Sequence, residues 1–183
     1  GFSQDEREYI ICVDEKVPSV WSNVLANENF GTIVTQNLGG FTWYKNSRLN
    51  RISKWSNDSL ADTPSEEIYI QDESENKVWR LGKGNLLATY GFGYSKYEQN
   101  KLDIKQKLEV FVSMNQNIKI NLLELKNNTN HTKKINLIYK VSTVLDEDEI
   151  KSEGNINLEY NKQKDFVYSK NLYTSGIDSI AYV

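Results

Sequence analysis

Histidine and cysteine each occur only once in this sequence of 183 residues. A Ser-His-Asp site needs a histidine that a carboxylate orients against a nucleophile, whereas His131 stands in an asparagine-rich stretch typical of a turn. We therefore predict that His131 is exposed and has no catalytic role, and we predict no metal site. Because Cys12 is the only thiol, an intrachain disulfide and a thiolate zinc site are excluded. Cys12 lies in an aliphatic run and is predicted to be a small buried hydrophobic residue.

Basic runs and long apolar runs are also absent. The 22 Lys and Arg residues against 25 Asp and Glu residues give a net charge of −3, which argues against nucleic acid as a partner. Apolar stretches such as residues 9–13 are far too short to span a membrane, so we predict no membrane segment. The opening residues do not follow a signal-peptide pattern, and a cytoplasmic location is expected. A first residue other than methionine predicts a processed chain or a piece of a longer one.

Apolar and polar residues alternate along several segments, notably residues 105–112, 118–125 and 134–144. Alternation of period two is typical of antiparallel strands that place one face on a core. Residues 145–151 are acidic but carry no apolar stripe, so we predict an exposed loop there and no helix elsewhere. Strands at this spacing without helices between them predict an all-β fold, an antiparallel β-sandwich.

Two turn-rich segments separate these strands. We predict that residues 72–76 connect a short hairpin and that the asparagine-rich residues 127–130 connect another. The last residues, 180–183, have the pattern of a strand with no turn after it. The 183 residues are therefore predicted to form a single β-sandwich domain, or the N-terminal part of one that is truncated at its C-terminus.

Paired carboxylates and glycine-rich turns are the remaining candidates for chemistry. Glu66 and Glu67 lie in a polar run at a predicted strand end, where solvated surface is the preferred interpretation over a hydrolytic pair. Residues 90–94, Tyr-Gly-Phe-Gly-Tyr, lack the third glycine and the following helix of a phosphate-binding loop. Aromatic packing over glycine is predicted there, with a ligand platform as the alternative.

The most distinctive segment runs from Asn46 to Asp58 and directly follows an aromatic stretch. Guanidinium and amide groups beside an indole are what a protein uses to hold a polyhydroxylated ligand or to fix a loop at an interface. The alternative is an ordered loop whose arginines bind carbonyl or carboxylate oxygens. The candidate residues for contact with a carbohydrate or another subunit are Asn46, Arg48, Arg51, Trp55, Asn57 and Asp58, together with Trp43 and Tyr94.

Several motifs follow one another in a specific order along nearly the whole chain. They are Arg7-Glu8-Tyr9-Ile10-Ile11, Gly39-Gly40-Phe41-Thr42-Trp43, Asn46-Ser47-Arg48, Asn50-Arg51, Trp55-Ser56-Asn57-Asp58 and Tyr90-Gly91-Phe92-Gly93-Tyr94. This series resembles the N-terminal β-sandwich of the inverting glycoside phosphorylases, glycoside hydrolase family 94. That family includes cellobiose and cellodextrin phosphorylases, β-1,2-oligoglucan phosphorylase and the cyclic β-1,2-glucan synthases. The sequence of residues 46–58 is more similar to that of the oligoglucan and cyclic-glucan branch than to that of cellobiose phosphorylase.

The resemblance implies a β-supersandwich similar to galactose mutarotase. In the family a helical linker and an (α/α)6 barrel follow, and the aspartate that serves as general acid lies in that barrel, which is absent from this chain. For this chain, the resemblance implies a domain without catalytic residues or a cofactor. For the parent enzyme, it implies a β-glucan oligosaccharide as substrate and inorganic phosphate as co-substrate. It also implies a homodimer in which the sandwich shapes the active-site entrance.

Two other functions remain open at this point. One is a free-standing carbohydrate-binding module with Trp43, Trp55 and Tyr94 as stacking residues. The other is a mutarotase-like epimerase, which the single histidine disfavours.

Overall fold

The computed structural model describes residues 1–12, 19–58, 60–173 and 180–182. The described residues form strands joined by turns, with one helix of a single turn. The helix is α1 (Glu149–Ser152), and the strands are β1 (Tyr9–Cys12), β2 (Ser22–Ala26), β3 (Phe30–Thr35), β4 (Gly40–Tyr44), β5 (Arg51–Ser53), β6 (Glu66–Asp72), β7 (Lys77–Arg80), β8 (Leu87–Gly91), β9 (Tyr94–Lys101), β10 (Ile104–Val112), β11 (Lys119–Asn127), β12 (Ile135–Val141), β13 (Thr143–Asp146), β14 (Ile156–Asn161), β15 (Phe166–Asn171) and β16 (Ile180–Tyr182).

These strands form four antiparallel sheets. Sheet I has the order β1-β8-β9-β10-β11, sheet II β13-β5-β4-β3-β2, sheet III β12-β6-β7 and sheet IV β14-β15-β16. The prediction of an all-β antiparallel fold is confirmed. The predicted last strand is present as β16, paired with β15, while Val183 lies outside the described residues.

Sheets I, II and III share one hydrophobic core. Leu25 and Val34 enter it from sheet II, Ile70 and Trp79 from sheet III, and Leu108 with its neighbours from sheet I. The alternation predicted for residues 105–112 is observed along β10, where every second residue from Ile104 to Val110 is buried. Such burial of apolar surface contributes most of the stabilisation of a sandwich of this kind.

The polar groups in this core are paired. Tyr97 is fully buried, and its hydroxyl donates a hydrogen bond to the Thr35 carbonyl at 2.8 Å. The indole N–H of Trp79 donates to the side-chain oxygen of the buried Gln106 at 3.3 Å. Since a buried polar group without a partner is costly, these bonds also fix how the three sheets sit against each other.

One of the two predicted hairpins is confirmed. Residues 72–76 join β6 to β7, which pair in antiparallel register. The Asp72 carboxylate accepts the Ser74 backbone N–H at 2.9 Å, and Asn76 takes the left-handed conformation with φ of 51°. The Lys133 ammonium, buried from solvent, lies 2.7 Å from both Asp72 and Glu75 and ties the chain before β12 to this hairpin.

The hairpin predicted at residues 127–130 is wrong. β11 belongs to sheet I, whereas β12 pairs with β6 in sheet III, so the segment crosses from one layer to another. Residues 128–134 are too many for a tight hairpin turn. The Asn127 side chain orders the crossover by donating to the His131 carbonyl at 2.7 Å and by accepting from Thr129. His131 itself is exposed, as predicted.

Two smaller predictions also need correction. Residues 149–152 form helix α1 where an exposed loop was expected, because the Asp148 carboxylate caps the N–H groups of Ile150 and Lys151 at 3.1 and 3.0 Å. A single capped turn needs no apolar stripe. Cys12 is exposed and not buried, because Ile11 faces the core and alternation along the strand turns the next side chain outward.

Glu66 connects three of the sheets through one carboxylate. Oε1 accepts the hydroxyls of Thr42 on β4 at 2.7 Å and Ser53 on β5 at 3.2 Å. Oε2 accepts the Lys119 ammonium on β11 at 2.6 Å and the Tyr139 hydroxyl on β12 at 2.7 Å. Its side chain is 14% exposed. The interpretation of Glu66 and Glu67 as solvated surface is therefore wrong, because both side chains are mostly buried and each carboxylate finds cationic partners on other strands.

Burial alone would raise the pKa of Glu66, but the Lys119 ammonium and the donated hydroxyls outweigh it and hold the pKa below its usual value. A carboxyl group with a lowered folded-state pKa stabilises the fold above its unfolded pKa. That contribution is lost as the pH falls through the lower, folded-state pKa.

We predict that Glu66→Gln lowers the free energy of unfolding at neutral pH by about 2–4 kcal/mol, because it leaves the Lys119 ammonium without its carboxylate partner. Urea unfolding measures this change, and the difference from the wild type should shrink below about pH 4. Glu73→Gln is the control, since it breaks an ion pair with the well-exposed Lys134 and should have a much smaller effect. Equal losses in the two variants would contradict the assigned role of Glu66.

Candidate functional site

The loop between β4 and β5 holds its own shape through Asn46. The Asn46 side-chain oxygen accepts the backbone N–H groups of Arg48 and Leu49, both at 2.9 Å. Its carbonyl accepts the N–H of Asn50 at 3.0 Å, and Tyr44 N–H donates to the Asn50 carbonyl at 3.1 Å. Asparagine is suited to this role because its side-chain oxygen can accept a hydrogen bond from the backbone N–H two residues ahead. Asn46 therefore shapes the loop, and Arg48 lies exposed at its tip.

Arg51 opens β5 and packs inward. It lies opposite Trp43 in the strand register, and its guanidinium carbon is 6.0 Å from the centre of the Phe41 ring. One terminal nitrogen is 3.9 Å from Oε1 of Glu149 in helix α1. The same oxygen accepts the Trp55 backbone N–H at 3.0 Å. Arg51 Nε is buried and has no hydrogen-bond partner within the ranges that the structure describes.

Three aromatic rings, which we call the aromatic ladder, run beside this arginine: Trp43, Phe41 and Trp55. The Phe41 ring is stacked on Trp55 with centroids 4.6 Å apart and lies 5.3 Å from Trp43. Phe41 is only 2% exposed, while both indoles are partly exposed. The indole of Trp43 covers Gly31 on the neighbouring strand, where an added Cβ atom would overlap the ring. The ladder therefore depends on a glycine at that position.

Asn57 and Asp58 lie in a turn beyond β5. The Asp58 carboxylate accepts the N–H groups of Ala61 at 3.1 Å and Leu60 at 2.8 Å. These two backbone hydrogen bonds lower the pKa of Asp58. Asn57 is exposed and takes the left-handed conformation, with φ of 46°. Asp58 is thus engaged in the turn.

Tyr94 lies elsewhere, in the hairpin of β8 and β9. Its carbonyl accepts the side chain of Asn23 on β2 at 3.1 Å, and β3 and β4 separate β2 from β5 in sheet II. Its hydroxyl donates to Glu8 at 2.5 Å, and Lys96 donates to the same oxygen at 2.8 Å. The ring covers Gly91, so the predicted packing of an aromatic ring over glycine is confirmed. Tyr94 is not brought together with Trp43 and Trp55.

The Glu8 carboxylate beside Tyr94 is held in its charged form. The hydrogen bonds from Lys96 and from Tyr94 lower the pKa of Glu8, and the bond from Lys96 has the larger effect. The hydrogen bond to Glu8 raises the pKa of the Tyr94 phenol. The ion pair of Glu8 with Lys96 joins the start of β1 to the hairpin of β8 and β9. The Glu8 carboxylate and the Tyr94 hydroxyl are both engaged in these contacts.

The segment from residue 43 to 58 thus has a packed side and an exposed side. Arg51 and Trp55 fasten it to Glu149 of helix α1, while Arg48 and Asn57 are exposed. No group of three or more His, Cys, Asp or Glu side chains suited to a metal ion occurs among the described residues. The arrangement can present hydrogen-bond donors on an ordered loop, and among the residues that the structure describes it holds no nucleophile against a base.

Two participants were not predicted. Glu149 lies in sequence almost a hundred residues from Arg51, and its only local signal is the capping pattern that begins at Asp148. Gly31 matters because it pairs across the sheet with Trp43. Neither partnership is visible in a single strand's pattern.

Residues 7–182 match the family model described as glycosyl hydrolase 94, supersandwich domain. The chain belongs to this family. The glycosyl hydrolase 94 domain accounts for the antiparallel layers seen here, and its match extends over almost the whole chain. Within the described residues, no helix is long and apolar enough to cross a membrane.

Individual relatives carry this domain within much longer proteins. An N,N'-diacetylchitobiose phosphorylase of Vibrio proteolyticus is 27% identical over 143 residues, covering 73% of this chain and 18% of the phosphorylase. A protein of the same name from Vibrio furnissii matches equally, at 27%. The cyclic beta-(1,2)-glucan synthase NdvB of Rhizobium meliloti (strain 1021) is 34% identical over 116 residues, covering 57% of this chain and 4% of the synthase. The chain therefore spans only a small part of these relatives.

We predict that Gly31→Ala destabilises the protein by about 1–3 kcal/mol, because the new methyl group displaces the Trp43 indole from its place in the ladder. Urea unfolding, monitored by tryptophan fluorescence, measures the loss of stability, and the fluorescence of the folded protein reports the displacement of the Trp43 indole. In a Trp43→Ala background the same substitution should change stability by less than about 0.5 kcal/mol, since the overlap is gone. An equal cost in both backgrounds would show that Gly31 acts independently of Trp43.

Proposed function

We propose that this chain is the non-catalytic supersandwich domain of an enzyme that phosphorolyses or transfers β-linked glucosyl units. The match of residues 7–182 to the glycosyl hydrolase 94 supersandwich carries the proposal. The names of the relatives, a diacetylchitobiose phosphorylase and a cyclic β-(1,2)-glucan synthase, support a saccharide as the substrate. A β-glucan oligosaccharide as substrate and inorganic phosphate as co-substrate belong to the same proposal.

The carboxylates near the candidate loop support a domain without catalysis of its own. Glu149 is occupied by Arg51 and the Trp55 backbone, and Asp58 is occupied by the turn that it caps. General acid catalysis needs a carboxyl group within reach of the leaving oxygen and with a pKa near the working pH. The pKa of Asp58 is lowered instead. The catalytic groups are therefore proposed to lie in another part of the parent enzyme.

The proposed role of the β4–β5 loop is to face that catalytic part or a second subunit. Arg48 supports this role because it is exposed on a backbone that Asn46 holds rigid. A rigid donor loses little conformational entropy when it binds. We extend the proposal to a homodimer, to a cytoplasmic enzyme and to a galactose mutarotase-like fold of the complete domain.

Exposed apolar strands support a covering partner as well. Leu137 and Ile138 on β12 are 56% and 48% exposed, and Leu158 and Tyr160 on β14 are 65% and 58% exposed. Leu158 and Tyr160 lie two positions apart and so share one face of β14, and exposed apolar side chains grouped on one face commonly mark interfaces. A supporting domain that packs against the rest of its enzyme would bury such surfaces.

The alternative function is a free-standing carbohydrate-binding module, and the partial exposure of both indoles in the aromatic ladder favours it. Titration of this chain with sophorose, cellobiose and longer β-glucans separates the two functions. A supporting domain gives flat titrations, whereas a binding module gives saturable binding that Trp43→Ala or Trp55→Ala weakens.

In the full-length enzyme that carries this domain, we predict that Arg48→Ala lowers kcat/KM or weakens dimerisation by about fivefold, because one exposed interface arginine is lost. Steady-state kinetics and sedimentation velocity measure the two effects. The unfolding midpoint should not change. Arg7→Ala, an exposed arginine just before β1 of sheet I, is the control and should be neutral. Full activity and native assembly in the Arg48→Ala enzyme would reject the proposed role of the loop.

A further inference from the structure

An open cleft of about 360 Å³ lies between the loop that follows β7 and residues 61–64. It is separate from the aromatic ladder and from the β4–β5 loop, and the function proposed above makes no use of it. The polar residues that line it come from separate segments, which we group as a first wall, Arg80 and Lys83 at the end of β7 and in the loop after it, and a second wall, Asp62 and Asn37. Convergent polar groups in a concave site can fix the orientation of a bound ligand.

The first wall is cationic. The Arg80 side chain is 21% exposed, and one of its terminal nitrogens lies 3.5 Å from Glu67 Oε1. A guanidinium has five N–H donors, so this single contact leaves others for the cleft. Lys83 is exposed and forms no ion pair with any residue in the described ranges. The Lys101 ammonium, 3.4 Å from the Lys83 carbonyl, adds positive charge beside the same loop.

The buried side chain of Gln99 holds the loop that carries Lys83 in place. Gln99 is 5% exposed; its side-chain oxygen accepts the Gly82 N–H at 3.2 Å, and its amide donates to the Lys83 carbonyl at 2.9 Å. Gly82 and Gly84 take φ values of +82° and +107°, which favour glycine because other side chains are strained there. The backbone that carries Lys83 is therefore fixed beside the cleft.

The second wall offers hydrogen bonds of both kinds. The Asp62 carboxylate is fixed by the Thr35 hydroxyl, which donates to Oδ2 at 2.6 Å, and it lies directly over Gly39, where no Cβ atom would fit. A carboxylate has about four acceptor positions, so Asp62 can still accept hydroxyl groups from a ligand. The Asn37 amide can both donate and accept. A bare anion would be repelled by Asp62, whereas a hydroxylated ligand would not.

We infer that this cleft binds an anionic sugar. Its phosphate or carboxylate group lies against Lys83 and Arg80, and its hydroxyl groups lie against Asp62 and Asn37. The two walls together select a molecule that carries charge at one end and hydroxyls at the other. Phosphorylated sugars and sugar acids share this chemistry.

Calorimetric titration of this chain at low ionic strength with four probes tests the inference: glucose 6-phosphate, glucuronate, glucose and inorganic phosphate. At least one of the two anionic sugars should bind, and it should bind about fivefold or more tighter than glucose or phosphate alone. Which of the two binds tighter identifies the anionic group. Raising the salt concentration should weaken that binding, because the charges lie near the surface. Phosphate bound as tightly as the sugar phosphate would reduce the cleft to a simple anion site and overturn the inference.

Variants locate the binding. Lys83→Ala should weaken the anionic sugar about fivefold or more, and Asn37→Ala should weaken the anionic sugar while leaving phosphate unchanged. Lys162→Ala, an exposed lysine in the turn between β14 and β15, is the matched control and should bind like the wild type. Circular dichroism and thermal melting establish that each variant is folded, and Lys83→Gln replaces any Lys83→Ala protein that is not. No binding of either anionic sugar, no response to salt, or equal binding by the Lys83 variant and the Lys162→Ala control would each overturn the inference.

Discussion

The arrangement of the layers depends on the carboxylate of Glu66, which is almost enclosed where three sheets meet. Its four partners come from β4, β5, β11 and β12, so one carboxylate joins all three layers. Hydrogen bonds and an ion pair inside a poorly hydrated junction are stronger than the same contacts on the surface. The adjacent Ser65 hydroxyl extends the junction to the Gly40 carbonyl at 2.8 Å and to Ser53 at 3.2 Å. The start of β4 and the end of β5 are thereby fixed relative to the rest of the fold.

The same two strands carry the β4–β5 loop, which is therefore supported at both ends. The Glu66 junction holds the strands from one side, and the aromatic ladder with Arg51 and Glu149 holds them from the other. Between these supports the loop exposes Arg48 on a backbone closed by Asn46. Much of the distinctive composition of residues 46–58 thus shapes and anchors a loop, and only a few of its side chains are free to contact a partner. This division fits a supporting domain better than an active site.

Local patterns predicted those parts of the fold that depend on neighbours along the chain. The alternation in β10 and the turn at residues 72–76 are local, and both predictions are confirmed. The pairing of β12 with β6 depends on residues more than sixty positions apart, so the Asn127 turn could not reveal it. Glu66 was interpreted as surface because its partners at positions 42, 53, 119 and 139 are distant in sequence. Trp43 was a candidate from the sequence, whereas Gly31 beneath it was not, since only the sheet register brings them together. The family resemblance supplied the architecture because it rests on ordered motifs and not on pairing.

The buried ammonium of Lys133 has a consequence for the order in which the protein folds. It contacts Asp72 and Glu75, both in or next to the β6–β7 turn. A lysine gives up its hydration only where carboxylates are already positioned to replace it. The β6–β7 hairpin closes a short loop, whereas docking β12 onto β6 closes a loop of about sixty residues, which is the larger entropic cost. We therefore expect the hairpin to form early and to serve as the template on which the crossover and β12 settle.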